Sequence, residues 1–305
     1  MDKIDNLLKE ELLKQNNKIL FIIIYGCGGV IFLRHFYELT GKQDKKLLQR
    51  MIDAKLFKTN RLGKSQIVIA KYAVYQYFGL DNKTIKLTSK RMLHSALVAE
   101  MLVHTYGSDL NRIERVLRAG NLLYFSPRNS LYFLNRIYNF MELKKSCSLA
   151  VLEGSIKEHE KKVNFFEGSR KGKKEKLEKS KFNSEDLFTL RSKGIYMRYA
   201  DYKGDTLRIY VAYLVSGKGV NKIAEAINKS EKALEEILDG INIRIYFDIY
   251  SLNEKSTLIE SKVKESLLKI KSNALKEDYY NDVITFHWYN SRKTLFSGID
   301  IDKWL

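Results

Sequence analysis

The chain holds 305 residues and 35.6 kDa, enough for two or three domains with cores of their own. A hydrophobic share of 45% excludes a disordered chain, and 54 Lys and Arg against 36 Asp and Glu give a formal charge of +18. That field favours nucleic acid or an anionic membrane surface as partner and says nothing about fold.

In chain order, residues 2–15 have the spacing of an amphipathic helix, with Ile4, Leu7, Leu8, Leu12 and Leu13 apolar. Such a helix packs on its own domain or forms a dimer contact. The run ILFIIIYGCGGVIFL, residues 19–33, is uncharged, but its 15 residues fall short of the roughly 20 that a bilayer span needs. Gly26-Cys27-Gly28-Gly29 marks a loop between two buried helices, the first over Lys18 to Tyr25. No membrane partner is expected. Cys27 and Cys147 lack metal-ligand spacing and lie in apolar surroundings, as the reduced thiols of a cytoplasmic protein do.

Residues 31–80 carry the sharpest pattern. Phe32, Leu33, Phe36 and Leu39 share a helical face that Thr40-Gly41 closes. Asp44 can cap a second helix with apolar Leu47, Leu48, Met51 and Ile52, leaving Lys45, Lys46, Gln49 and Arg50 largely off that stripe. Leu56 to Leu62 then reads as a strand, Gly63-Lys64-Ser65 as a turn, Gln66 to Ala70 as a returning strand and Tyr72 to Phe78 as a closing helix. From Thr40 to Lys71 the chain sets nine Lys or Arg against two acids, Asp44 and Asp53. Helix, turn, basic helix and basic hairpin is the order of a winged helix-turn-helix, which binds duplex DNA. On that reading Lys45, Lys46, Gln49 and Arg50 enter the major groove, with Gln49 and Arg50 able to reach base edges. Lys58, Arg61 and Lys64 hold flanking phosphates from the wing, and Lys42 and Lys71 add backbone contacts. The same elements also build protein-docking modules, and any small domain exposes lysines.

From 88 to 166 the pattern is helical almost throughout. Thr88 caps a helix carrying Met92, Leu93, Ala96, Leu97, Ala99, Met101 and Leu102, and Asp109 to Leu117 gives another. Ser126-Pro127 marks a break before a stretch with Leu131, Leu134, Ile137, Tyr138, Met141 and Leu149. The tract from Lys157 to Lys181 is a linker or frayed helix end, serving either as a basic arm on DNA or as a plain tether. Past 186 the period changes. Ile195 to Tyr199 and Thr206 to Leu214 read as strands, Lys222 to Leu238 as a helix broken near Asn228-Lys229-Ser230, and Ile243 to Tyr250 as a strand. A helix over Lys255 to Lys271 and a strand over Val283 to Tyr289 complete a β-β-α-β-α-β order. The expected fold is mixed α+β: a winged-helix domain with its N-terminal helix over 1–85, a helical segment over 86–166, a basic linker over 167–185 and a small α/β domain over 186–305.

Other chemistry finds little support. Gly63-Lys64-Ser65 is not a phosphate loop, because Lys58 stands where the first glycine belongs and no helix follows. Val215-Ser216-Gly217-Lys218-Gly219 precedes a helix, as a phosphate cradle or a plain loop. The five histidines, His35, His94, His104, His159 and His287, lack metal spacing; His94 and His104 fall nearly on opposite sides of one helix. Tyr196, Tyr199, Tyr210, Tyr213, Tyr246 and Tyr250 suggest an aromatic sheet face, either core packing or a stacking surface for single strands.

The segments YELTG, KKLLQRMIDAKLFK, the short wing and IAKYAVYQYFG give the first half a pattern that resembles the winged-helix part of the replication-relaxation family of plasmids and integrative conjugative elements. TSKRMLHSALVAEML, with His94, is similar to the helical segment that follows in that family. The resemblance implies a mobile-element protein, and a nuclease-like α/β domain past 190. A metal nuclease needs an acid at one strand end and an acid-x-Lys pair on the next strand. Asp201 or Asp205 can supply the first acid, but Leu207 to Tyr213 holds neither acid nor lysine. The expectation is therefore a non-enzymatic, sequence-specific duplex DNA-binding protein acting in replication, segregation or transcriptional control. It would be a cytoplasmic homodimer without cofactor or metal, with replication or segregation proteins as further partners. One rival is a degenerate or cryptic metal-dependent nuclease with Asp201, Asp205 and Asp248 around the metal. The other is an interaction scaffold whose basic surface meets an acidic partner.

Overall fold

Two sheets organise the residues that the computed structural model describes, namely 2–41, 45–80, 86–119, 129–143, 149–168, 190, 194–215, 219–270 and 277–299. The protein is mixed α+β. Helix α1 (Asp2–Gln15) buries Leu12 and Leu13, and α2 (Asn17–Phe21) runs into a π-helical turn, Ile22–Gly26. This apolar run is buried because it forms the middle of the first core, against the helices Ser89–Tyr106 (α6) and Leu110–Ala119 (α7). Among the described residues no helix is long and apolar enough to cross a membrane.

The chain reverses at Gly28 and Gly29, both at positive φ (71° and 85°), and enters strand β1 (Val30–Phe32). Phe32, read from the sequence as helical, is the last residue of that strand. Its neighbours Val30 and Ile31 are β-branched, and all three pair with β3. Helix α3 (Leu33–Thr40) stops at Gly41, whose φ is 77°. Helix α4 (Lys45–Asp53), strand β2 (Phe57–Leu62), strand β3 (Ser65–Ala70) and α5 (Tyr72–Tyr77) follow. The sheet order is β1-β3-β2, antiparallel throughout. Arg34 and His35 of α3 reach Glu100 Oε1 of α6 at 2.5 and 3.2 Å. Burial disfavours charge on Glu100, but the contact with His35 and the Arg34 guanidinium outweigh it and hold the carboxyl below its ordinary value.

Thr88 caps α6 (Ser89–Tyr106) by accepting from the Arg91 N–H at 3.3 Å, the cap its sequence predicts. Helices α7 (Leu110–Ala119), α8 (Asn129–Leu143) and α9 (Leu149–Gly168) continue the helical stretch. They divide between two cores: α6 and α7 pack with the first sheet, α8 and α9 with the second. Ser126-Pro127, Asp44 and residues 169–185 of the expected linker lie outside the described residues.

The second sheet has the order β4-β5-β6-β7, from β4 (Ile195–Lys203), β5 (Thr206–Val215), β6 (Ile243–Ser251) and β7 (Ile284–Trp288). Its first pair is antiparallel and the other two are parallel. Helices α10 (Val220–Ile237) and α11 (Thr257–Ile270) are its crossovers, and α12 (Glu277–Val283) adds a turn of helix before β7 that the sequence reading lacked. Helix α10 is continuous where a break was expected. Ser230 is buried and returns its hydroxyl to the Ala226 carbonyl at 2.7 Å, so its polar group is satisfied inside the helix. Leu207, Ile209, Val211, Ile245, Phe247 and Ile249 line the face that holds the second core. A short helix, α13 (Arg292–Leu295), ends the described chain and tucks Leu295 and Phe296 into the first core.

Candidate nucleic-acid interface

Helix α4 shows why its residues sort as they do. Leu47, Leu48 and Met51 are buried at helical spacing, each burial stabilising by roughly 1.5–3 kcal/mol. The period that drives them inward turns Lys45, Lys46, Gln49 and Arg50 outward, and all four are exposed. Gln49 donates to Asp53 Oδ1 at 2.8 Å, one turn on. Lys45, Lys46 and Arg50 form no ion pair with another described residue. A helix face whose ammonium and guanidinium groups are not held in ion pairs keeps its charge available to an outside anion.

Strand β2 is one of the two outer strands of its sheet, with Lys58, Thr59, Asn60 and Arg61 all exposed. The side-chain alternation puts Lys58 and Arg61 on opposite faces. Arg61 shares the face of Phe57, whose ring meets Phe36 of α3 at 6.2 Å, so it lies on the helix side. Lys58 lies on the other side. Lys71, which N-caps α5, is half-buried, and Lys42 lies outside the described residues.

The hairpin turn is not a free tip. The Lys64 N–H donates to the Ser297 carbonyl at 2.9 Å, and the Ser65 hydroxyl to the Thr294 carbonyl at 3.3 Å. A Cβ on Gly63 would sit 2.3 Å from the Ser297 oxygen, and its φ is 60°, so glycine is required twice over. The Lys64 side chain nevertheless stays exposed. The strap over residues 294–297 escaped the sequence reading; its one signal is the apolar pair Leu295-Phe296 after a polar stretch.

The second sheet carries a different kind of site on the face away from its core. The six tyrosines read as one aromatic face divide into three groups. Tyr196 and Tyr250 are buried against the first core, and Tyr213 points into the second. Tyr199, Tyr210 and Tyr246 stack across three strands with centroids 4.1 and 4.9 Å apart, and Tyr199 is 39% exposed. A β-bulge between Met197 and Tyr199 brings Tyr196 and Tyr199 to the same side, which simple alternation forbids. The rings stand in a column, so most of their faces are already covered by one another. Cross-strand pairing accounts for them.

Beside the column every arginine is engaged. Arg208 grips Asp201 through two nitrogens at 2.7 and 2.8 Å, and Arg244 lies 3.3 Å from Asp282. Arg198 spans the small Ala212 to donate to Asp248 Oδ2 at 2.6 Å and to the Tyr250 hydroxyl at 3.0 Å. His287 Nε2 completes the set, 3.1 Å from Asp248 Oδ1. Burial penalises the Asp248 charge, but the His287 contact and the Arg198 guanidinium outweigh it and hold the carboxyl below its ordinary value. Tyr196 joins the two halves of the molecule: its hydroxyl lies 2.9 Å from His94 Nδ1, while His94 Nε2 meets the Gly26 carbonyl at 3.1 Å.

Asp201, Asp205 and Asp248 therefore do not converge. Asp205 is exposed on the β4–β5 turn, and the other two hold different arginines. Among the described residues no three His, Cys, Asp or Glu side chains gather as a metal site. Ser216, Gly217 and Lys218 of the candidate phosphate loop lie outside them, as does Cys147. Cys27 is a free, buried thiol whose pKa burial pushes up to about 12. No family model, curated protein or solved structure matches the chain.

Proposed function

We propose that the chain binds duplex DNA through a winged helix-turn-helix formed by residues 17–78. The support is an order of parts: a helix, a first strand, two helices and a hairpin, with the first strand paired to the hairpin's second strand. One observation carries the reading, the outward face of α4, where Lys45, Lys46 and Arg50 are exposed and form no ion pair with a described carboxylate. Arg50, with Gln49, would read base edges in the major groove, while Lys45 and Lys46 hold phosphates. Arg61, on the helix side of the hairpin, would reach the flanking backbone with Lys64; Lys58 and Lys71 would contribute less.

Two copies on repeated half-sites would supply specificity. Leu7 and Leu8, 63% and 54% exposed on α1, are the apolar residues available for such a contact. The resemblance to replication-relaxation proteins supports a role on a mobile element, in replication, segregation or transcriptional control, and the separate arginine partners of Asp201 and Asp248 favour a non-catalytic one. The test is recovery of fragments from the protein's own replicon at two salt concentrations. One repeat-bearing fragment retained at the higher salt is the expected result. Uniform binding that vanishes with salt would refute site-specific recognition, and no binding at low salt would favour the scaffold reading.

A further inference from the structure

The four outer strands of the two sheets are not treated alike. Strand β1 is three residues long, and its Val30 carbonyl is taken by the Ser95 hydroxyl of α6. Strand β2 carries Lys58, Thr59, Asn60 and Arg61 outward, and β4 carries a bulge. Short length, charge and bulges are the devices that keep an exposed strand from pairing with another chain. Strand β7, Ile284-Thr285-Phe286-His287-Trp288, is two residues longer than β1 and has no lysine, proline or bulge, with an unbroken register to β6. The Tyr289 N–H donates to the Ser251 carbonyl, so by parallel-strand alternation Phe286 and Trp288 turn their own N–H and C=O groups to the outer edge, where no described strand pairs with them.

Beside that edge lies an open groove of about 440 Å³, lined by Lys255, Glu260, Lys264, Thr285, Phe286 and Trp288. The Phe286 and Trp288 rings are parallel to within 6°, with centroids 5.7 Å apart. Trp288 is fixed by its indole N–H on Glu260 Oε1 at 2.6 Å, which engages the groove's one carboxylate. Among the described residues Lys264 donates to the neutral Asn281 at 2.8 Å, and neither it nor Lys255 forms an ion pair. We propose that β7 accepts an extended segment of a partner protein as an added strand, with apolar residues on Phe286 and Trp288 and acidic residues on Lys255 and Lys264. The chain's charge of +18 argues for an acidic partner over a second copy.

The probes are short fluorescein-labelled peptides that alternate glutamate with valine, compared with lysine–valine peptides of equal length on the full chain. Fluorescence anisotropy should show the acidic peptides binding at least roughly tenfold tighter. The double variant Lys255→Glu, Lys264→Glu should reverse the order while leaving the thermal midpoint unchanged. Methylating alternate peptide nitrogens should abolish binding, because strand addition runs through main-chain hydrogen bonds. Equal affinity for both peptides, or insensitivity to methylation, overturns the proposal. So does a change of oligomeric state in the double variant, which would put a second copy on the edge, or displacement of the peptide by a single-stranded oligonucleotide. None of these outcomes bears on α4, so the duplex-binding reading stands or falls separately.

Discussion

The outer face of α4 and the tyrosine face of the second sheet carry the same cations in opposite states. On α4, Lys45, Lys46 and Arg50 are exposed and form no ion pair with a described carboxylate. On the sheet, Arg198, Arg208 and Arg244 each hold an aspartate, and Arg198 with Asp248 is largely shielded from solvent, their side chains 17% and 22% exposed. Charge that is internally neutralised fixes structure, whereas unneutralised surface charge is available to a polyanion. The net charge of the chain does not distinguish the two. Their pairing does.

The sharpest way to break this contrast is to exchange its effects. Arg198→Ala should cost roughly 2–4 kcal/mol in urea unfolding, because it leaves the largely shielded Asp248 carboxylate with the His287 contact alone among described partners. A loss below about 0.5 kcal/mol would mean that the pair is ornamental. Arg50→Ala should do the reverse, leaving stability within about 0.5 kcal/mol while weakening the preferred duplex by roughly 1–3 kcal/mol and relaxing base preference. Lys64→Ala should instead weaken all sequences alike. A smaller effect separates Arg208 from Arg198. Arg208 lies on the open part of the face, so Arg208→Ala should change stability by no more than about 1 kcal/mol.

Acid should reveal the same asymmetry. The Asp248 carboxyl is held below its ordinary 3.8, so its stabilisation is complete above that value and fades as pH falls beneath it. Asp248→Asn should remove that part of the acid-unfolding profile and lower stability at neutral pH. A profile identical to the parent's would contradict the assignment. The least effect is expected at Cys27. With its pKa at about 12 it should resist iodoacetamide under native conditions at mildly alkaline pH, in a Cys147→Ser background, and react only on unfolding.

Much of the first unit is legible in the residues because its signals are local. The 3.6 period sorts α4 into Leu47, Leu48 and Met51 against its basic side, and Thr88 caps α6 through its own hydroxyl. What the sequence hides depends on contacts distant along the chain. Phe32 suits a helix or a strand equally, and only pairing with Ile67 makes it a strand. The tyrosines cannot be sorted without the bulge at Met197. The hairpin turn looks free until Thr294 and Ser297, more than two hundred residues away, close on it. Nor does spacing along the chain show that Asp201 and Asp248 meet Arg208 and Arg198 and not a metal, because those arginines reach them across the sheet.

The most direct test of the account is the salt dependence of duplex affinity for the parent chain and for Lys45→Ala, Lys46→Ala and Arg61→Ala combined. The plot of log affinity against log salt should lose roughly 0.9 in slope for each phosphate contact removed. Lys58→Ala, on the opposite face of β2, should lose less. An unchanged slope in the triple variant would mean that the unpaired face of α4 is not where DNA is held.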